Sequence, residues 1–287
     1  MRYKIHHTTT YTYNRPVTLA PHIIRLRPRC DVTQSLQSFS VEITPQPSQL
    51  FETVDLDGNN LLVAYFSDLP IDLFSVDVVS VVETFRSNPF AYLLEPWATH
   101  LPINYPAALE AQLQPYLLGG ATNFPHPDPV AVQLAHELWH TSGGNPISFL
   151  WELNQKIYHR CKHMVRDTGD PLPPGITWTG KTGSCRDVAV LFMEVCRAIG
   201  LAARFVSGYQ EGDPDSDDRH LHAWAEVYLP GAGWRGYDPT QGLVVSDRHI
   251  ALASSPSSPQ AAPISGALKT GIGAKTTLEY HLSIKVV

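Results

Sequence analysis

The chain has 287 residues, of which 43% are hydrophobic and 17% are charged, and its formal net charge at pH 7 is −6. A chain of this length and apolar content can form two compact domains and is too apolar to be disordered. It contains no run of Lys and Arg and no apolar stretch of 18 residues, which argues against a nucleic-acid partner and against a membrane span.

The cysteines and the first residues indicate the compartment. Cys30, Cys161, Cys185 and Cys196 form no disulfide framework, which favours a reducing interior. The segment that follows Met1 alternates polar and apolar residues, a pattern typical of a strand and not of a signal peptide. We therefore expect a cytoplasmic protein.

Residues 1–86 are predicted to form successive β-strands. Tyr3, Ile5, Tyr11 and Tyr13 alternate with polar residues, and Asp57–Asn60 is a turn sequence between two apolar runs. The region shows no helical period and no pair of catalytic residue types. It is expected to be an antiparallel β-sandwich domain.

Residues 87–127 are predicted to be a proline-rich connection. Prolines recur at positions 89, 96, 102, 106, 115, 125 and 127, which excludes long regular elements. A short helix is expected near Ala107 to Leu113.

A catalytic domain is predicted over residues 128–287, beginning with two helices. Asp128 and Pro129 are typical of the first residues of a helix, and Thr141–Gly144 is typical of its end. The next helix should run from Asn145 and Pro146 to about Cys161. Cys161 lies in the His159–His163 segment, which we interpret as a helix end with favourable cations and not as a metal site.

The first of these helices contains a zinc-protease pattern. His136, Glu137 and His140 match H-E-x-x-H, and Glu152 on the next helix could supply a third ligand. Zinc hydrolysis is therefore an alternative chemistry. The simpler interpretation is an amphipathic surface helix with Leu134, Leu138 and Trp139 turned inward.

A cysteine is predicted at the start of a buried helix. Ser184 and Asp187 form a capping box, which places Cys185 at the first helical position. The backbone N–H groups and the positive end of the helix dipole favour a thiolate there. The apolar run that follows ends at Gly200, a residue typical of a helix C-terminus.

A histidine and an aspartate follow on two predicted strands. His222 begins an aromatic and β-branched run, and Asp238 precedes Pro239 at the end of the returning strand. The two side chains share a sheet face only if the hairpin loop has an odd number of residues or the strands contain a bulge. We predict one of these two arrangements, since a regular four-residue loop would turn Asp238 away from His222.

Four segments carry a family resemblance, and they occur in a fixed order. They are Gly183–Asp187, Ala202–Tyr209, His222–Val227 and Gly233–Thr240. Together they resemble the bacterial transglutaminase-like superfamily, often described as candidate cysteine proteases. Tyr3–Tyr13, Arg25–Pro28 and Asp57–Asn59 are similar to the β-rich N-terminal domain that accompanies this core.

The resemblance implies an α+β fold in which the N-terminal antiparallel β-sandwich is followed by a papain/transglutaminase-like catalytic core. In that core a central cysteine helix packs on an antiparallel sheet. The resemblance implies Cys185 as the nucleophile, His222 as the base and then the acid, and Asp238 as the group that orients the imidazole. The loop Asp167 to Thr182 and the segment Ser254 to Lys275 are expected to flank the cleft.

Four further residues are site candidates. The oxyanion hole should contain the backbone N–H of Cys185, with Trp178 or Gln155 as the second donor. His220 competes with His222 as the catalytic histidine, since both lie on one face of the strand. Trp224 and the family pattern fix the register in favour of His222, and His220 is expected at the mouth of the site or simply in solvent.

The predicted function is cysteine-dependent acyl transfer on a peptide or isopeptide-like amide through a thioester. We expect hydrolysis rather than crosslinking, with a peptide or protein amide as the partner and neither a cofactor nor a metal at this site. The alternatives are zinc hydrolysis at His136 and His140 and a non-catalytic binding module on the same fold.

Overall fold

The structure is a computed structural model, and it describes residues 1–118, 127–166, 168–212 and 219–287. Pro125 of the predicted connection, Asp167 at the start of the predicted cleft loop and the acidic segment 213–218 lie outside the described residues.

The N-terminal region consists of strands, as the alternation of apolar residues predicts. They are β1 (Arg2–Leu19), β2 (His22–Ile24), β3 (Gln34–Thr44), β4 (Gln49–Val54), β5 (Asn60–Tyr65) and β6 (Ile71–Thr84). Strands β1, β6 and β3 belong to one antiparallel sheet, and strands β2, β5 and β4 belong to another. Their inward side chains share one hydrophobic core.

Helices occupy the middle of the chain. They are α1 (Ala107–Leu118), α2 (Pro129–Thr141), α3 (Pro146–Arg160), α4 (Pro174–Gly180) and α5 (Cys185–Ala198), with a 3-10 turn at Pro96–Ala98. The predicted caps of α2 and α3 are confirmed, because the side chains of Asp128 and Asn145 each accept two backbone hydrogen bonds there. Helix α4 was not predicted and lies inside the expected cleft loop.

The strands directly after helix α5 form a third antiparallel sheet, the main sheet of the catalytic domain. Short strands β7 (Lys162–His163) and β8 (Thr182–Gly183) pair in parallel just before that helix. The main sheet contains β9 (Ala203–Gln210), β10 (His222–Leu229), β11 (Gly233–Asp238), β12 (Leu243–Val244) and β13 (His249–Ser255). Their order across the sheet is β12-β11-β10-β9-β13. Helix α5 packs on β10 and β9, and the α+β fold is confirmed.

The hairpin between β10 and β11 has the predicted odd loop. Leu229 pairs with Gly233, so the loop contains three residues, Pro230 to Ala232. Ala225 pairs with Tyr237, and continuing this register places Trp224 opposite Asp238. His222 and Asp238 therefore lie on the same face of the sheet.

The chain returns to the N-terminal sheets after β13. The remaining strands are β14 (Ile264–Ser265), β15 (Leu268–Thr270) and β16 (Thr276–Val286), preceded by a 3-10 turn at Ser258–Ala261. Strand β14 pairs with β2, whereas β15 and β16 pair with β1. The predicted catalytic domain over residues 128–287 includes these last strands, but they pair within the N-terminal sheets. A strand sequence specifies its alternating faces and does not specify its neighbour.

Two buried side-chain amides join the N-terminal region to β13, the last strand at one edge of the main sheet. The side chain of Gln34 donates to the carbonyl of Ala251 over 2.9 Å and accepts from its N–H over 2.8 Å. Asn59 makes the same pair of bonds to Ser254 at 2.8 Å each. These side chains satisfy the backbone of the edge strand β13 in the way that a further strand would.

Among the described helices, none is long and apolar enough to cross a membrane.

Candidate active site

Cys185 is the first residue of helix α5, as predicted, and it is partly exposed. Ser184 precedes it with an extended backbone, and the helix behind it is almost entirely buried. The sulfur is therefore held at the N-terminus of a rigid helix, next to backbone N–H groups that have no partner within the helix.

Asp187 fixes this helix start. Its Oδ2 accepts hydrogen bonds from the backbone N–H of Ser184 over 2.7 Å and from the Ser184 hydroxyl over 2.8 Å. Its Oδ1 accepts from Arg166 over 2.5 Å and from the backbone N–H of Leu172 over 2.7 Å. Asp187 is fully buried, so this one carboxylate ties the segment containing Arg166 and Leu172 to the cysteine helix.

His222 lies between Cys185 and Asp238. Its Nε2 is 2.7 Å from Oδ2 of Asp238. Because a carboxylate only accepts, Nε2 carries a hydrogen, and the other ring nitrogen, Nδ1, is left to interact with Cys185, which contributes to the raised pKa of His222. The structure thus brings the three predicted residues together, and their catalytic roles stay predictions.

The pKa values of His222 and Asp238 each depend on the charge of the other residue. Burial lowers the pKa of His222, but the charge and hydrogen bond of Asp238, followed by those of Cys185, outweigh burial and raise that pKa to about 10. Burial raises the pKa of Asp238, whereas His222 and His249 together hold it below its usual range. The charge of Asp238 therefore favours the imidazolium form of His222.

His249 is a member of the site that the sequence analysis missed. It is buried at the start of β13, and its Nε2 lies 3.2 Å from Oδ2 of Asp238. Oδ1 of Asp238 accepts from the backbone N–H groups of Thr240 and Gln241. No motif distinguishes His249 in the sequence, because the pairing of β13 with β9 brings it to Asp238.

The ligand atoms of His222, Asp238 and His249 lie within 4.8 Å of one another, a spacing close enough to hold a metal ion. The two imidazole–carboxylate contacts have the lengths of hydrogen bonds. A metal would have to displace both protons, so the donor set fits a hydrogen-bonded group.

The other predicted site residues divide into two pairs. Trp224 is buried beside His249, with ring centroids 5.3 Å apart, and His220 lines the cavity at Cys185 and hydrogen-bonds Tyr280. Gln155 donates to the carbonyl of Gly242 over 2.6 Å, and Trp178 lies under the guanidinium of Arg160. Neither of the latter two side chains lines the cavity. The proposal of Gln155 or Trp178 as an oxyanion donor is therefore corrected.

The zinc-protease pattern lies on the surface of helix α2. His136, Glu137 and His140 are exposed, and Glu137 accepts hydrogen bonds from Gln133 and Lys156. Glu152 accepts from the hydroxyl of Thr141. In the described part of the chain, neither histidine belongs to a group of three possible metal ligands, and Leu134 and Leu138 are turned inward as the simpler interpretation predicts.

A cavity of about 440 Å³ opens beside Cys185 and His222. One wall comes from residues 163–166 and 169–171, and another from residues 258–259 and 261–264, so both expected cleft segments contribute. His163 is exposed in the first wall, and its position opposite Gly183 in the β7–β8 pair places it close to Cys185. Although its surface is accessible, the His163 ring is partly desolvated, and this partial burial, followed by the positive charge of His222, lowers the pKa of His163.

Comparisons with known proteins agree with this geometry. Residues 3–83 match the bacterial transglutaminase-like N-terminal region, and residues 142–239 match the transglutaminase-like superfamily. An uncharacterized protein from Mycobacterium tuberculosis is 26% identical over 289 residues, which cover 94% of this chain and 88% of the relative. A protein-glutamine gamma-glutamyltransferase from Pseudomonas aeruginosa is 30% identical over 125 residues, or 40% of this chain and 19% of the relative.

One solved structure shares the whole fold. The crystal structure of a candidate cysteine protease from Cytophaga hutchinsonii covers 99% of this chain and 90% of its own chain, with a TM-score of 0.72 at 22% identity. At that identity the likeness concerns the fold alone. Residues 142–239 therefore belong to the transglutaminase-like superfamily, and residues 3–83 belong to the bacterial N-terminal region that accompanies it.

Proposed function

We propose that the protein is a cysteine-dependent amide hydrolase that acts on a peptide or isopeptide-like bond. Membership of the superfamily supports cysteine-based acyl transfer in general. The observation that carries the finer proposal is His222, which lines one cavity with Cys185, interacts with it electrostatically, and hydrogen-bonds the buried Asp238 through Nε2.

The first half of the reaction forms a thioester. The Cys185 thiolate attacks the carbonyl carbon, and Nδ1 of His222 gives its proton to the departing amine nitrogen as the C–N bond breaks. Asp238 keeps Nε2 of His222 bonded throughout, so Nδ1 stays directed at the sulfur and the leaving group. The amine then leaves as the first product.

The second half returns the enzyme to its starting state. His222, now neutral, takes a proton from water at Nδ1, and the water oxygen bonds to the thioester carbon. The C–S bond breaks, the acid leaves, and the thiolate–imidazolium pair is restored. One water is consumed for each amide cleaved.

The tetrahedral intermediate needs two donors for its oxyanion. The backbone N–H of Cys185 is the first. We assign the second to His163, which lines the cavity, interacts electrostatically with His222 and has a lowered pKa, a direction that favours the neutral ring. A neutral imidazole can donate one hydrogen bond without adding a charge.

Charge favours water over an amine as the acyl acceptor. The described lining of the cavity contains Arg186 and Arg219, besides Arg166, which is ion-paired with Asp187, and it contains one acidic side chain, Asp170. A protonated lysine would be repelled by such a lining. Crosslinking is the second candidate, since the partial relative from Pseudomonas aeruginosa is named a glutamyltransferase.

The decisive experiment compares three proteins on a library of glutaminyl and isopeptide-linked peptides in ¹⁸O-labelled water. We expect the wild type and Cys30→Ala to release acids that contain ¹⁸O, and Cys185→Ala to release none. Cys30 is an exposed thiol and serves as the matched control. Equal turnover by Cys185→Ala would overturn the proposal, and incorporation of an added amine without ¹⁸O would favour crosslinking.

A further inference from the structure

One face of strand β1, in the N-terminal sheet, lies against the catalytic domain. Residues Tyr3, Ile5 and His7 of this face are fully buried. Tyr3 donates to Glu211 over 2.9 Å, and Nδ1 of His7 lies 2.9 Å from the hydroxyl of Tyr209 on β9. At this end of β1 the N-terminal sheet therefore packs directly against the catalytic domain.

The next residues on the same face of β1 line a cavity instead of being packed against the catalytic domain. Thr9 and Tyr11 continue the alternation on β1 and line the cavity that contains Cys185. Their cross-strand partners on β16 are Tyr280 and Leu278. Directly opposed residues of an antiparallel pair point to the same side, and both partners also line the cavity.

This four-residue patch is fixed relative to the catalytic histidine. Tyr280 hydrogen-bonds His220, which lies two residues before His222. The β1–β16 pairing continues without a break from Tyr3 to Tyr13. The patch is thus a preformed wall of the cavity.

The apolar surface extends beyond the first cavity. Tyr11 and Ile264 also line a second cavity of about 380 Å³, together with Tyr13, His22 and Phe74. Tyr11 stacks on Phe74 with ring centroids 5.7 Å apart. A continuous aromatic and aliphatic surface therefore leads from Cys185 into the N-terminal sandwich.

We propose that the N-terminal sheet supplies a substrate subsite in which Tyr11, Ile264 and Leu278 bind an apolar or aromatic side chain of the peptide. No charged side chain belongs to the patch or to the described lining of the second cavity, so burial of apolar area provides the recognition. This inference rests on the proposed function, because it takes Cys185 as the reacting atom.

The subsite can be tested with thiol-reactive peptides. The Cys185 sulfur displaces iodide from an iodoacetyl group, so alkylation reports how well the attached peptide is positioned. The probes are iodoacetyl peptides that carry phenylalanine after zero to three glycines, each compared with a glycine-only peptide of the same length. The rate of Cys185 modification is read by peptide mass spectrometry.

In the wild type we expect at least one phenylalanine probe to react about tenfold faster than its glycine counterpart, a discrimination typical of an apolar pocket. Leu278→Asn should abolish this preference, and Leu278→Trp should abolish it by filling the space. Val286→Asn is the matched control on the same strand and should retain the preference, since Val286 is exposed and outside the cavity. Small iodoacetamide should react equally with all four proteins.

Two results would overturn the subsite. One is equal reaction of phenylalanine and glycine probes at every spacing, and the other is a preference that both Leu278 variants keep. The preference is a ratio of rates in one protein, so it decides the subsite even if iodoacetamide reacts slowly. Slow reaction of iodoacetamide with the wild type at pH 7 would instead contradict the proposed function.

Discussion

Asp238 shares one carboxylate oxygen with His249, whose Nε2 lies 3.2 Å away. The same oxygen is 2.7 Å from Nε2 of His222. A carboxylate donates no hydrogen, so both imidazoles donate and both fix its position. His249 is fully enclosed, with a side chain that is 1% exposed, and we expect it to act on the reaction through Asp238.

Replacing His249 should therefore impair the cysteine indirectly. A hydrogen bond to a charged group contributes about 1.5–3 kcal/mol, so we expect His249→Ala to slow Cys185 alkylation at pH 7 by roughly ten- to hundredfold. His249→Gln, which can still donate, should recover part of the rate. A structural role alone would leave the pH profile of alkylation unchanged in both variants, and that result would contradict positioning by His249.

Asp238→Asn tests the orienting anion itself. The amide removes the charge that raises the pKa of His222, and it cannot accept at both oxygens. We expect turnover to fall by several orders of magnitude, up to about 10⁴-fold, the loss seen when an orienting aspartate is amidated in other triads. The alkylation rate between pH 6 and 8 should fall with it. Turnover within tenfold of the wild type would show that His222 needs no carboxylate.

His163 should affect turnover more than alkylation. An oxyanion donor acts on the tetrahedral intermediate, whereas iodoacetamide forms no such intermediate. We expect His163→Ala to lower kcat by about 10²–10³-fold while the iodoacetamide rate stays near that of the wild type. His163→Gln should restore part of kcat. A parallel loss of both rates would place His163 in thiol activation instead.

Much of the site was predictable because it depends on local sequence. The capping box places Cys185 at a helix start, and the three-residue loop places His222 and Asp238 on one face. Both are short-range properties of turns and caps.

Long-range pairing was not predictable from the same patterns. His249 reaches Asp238 through the β9–β13 pair, and Leu278 reaches the cavity through the β1–β16 pair. An alternating strand sequence fits many partners, so neither contact has a local signal. Gln155 and Trp178 were misplaced for a related reason, because the groups that hold them, Gly242 and Arg160, are fixed only by tertiary packing.

Asp187 is expected to dominate the stability of the cysteine helix. It is fully buried and accepts from Arg166, from the backbone of Leu172 and from both donors of Ser184. Breaking a buried ion pair on one side costs about 3–5 kcal/mol, so Asp187→Ala should lower the free energy of unfolding in urea by about this amount. Asp170→Ala, an exposed neighbour, should change it by less than about 0.5 kcal/mol. Similar values for the two variants would refute the anchoring role.

His222 should give the stability a pH dependence of definite sign. Its pKa rises from about 6.5 to about 10 in the folded protein, so the folded state binds this proton more tightly than the unfolded state. The resulting stabilisation is complete below pH 6.5 and is lost as the pH rises through 10.

The measurement is the free energy of unfolding in urea from pH 6.5 to 10.5 for the wild type and His222→Gln. The difference between the two should shrink steadily across this range, because the other titrating groups are common to both proteins. A difference between wild type and His222→Gln that stays constant or grows would mean that the folded protein does not hold His222 as an imidazolium. The proposed mechanism would then lack the group that protonates the departing amine.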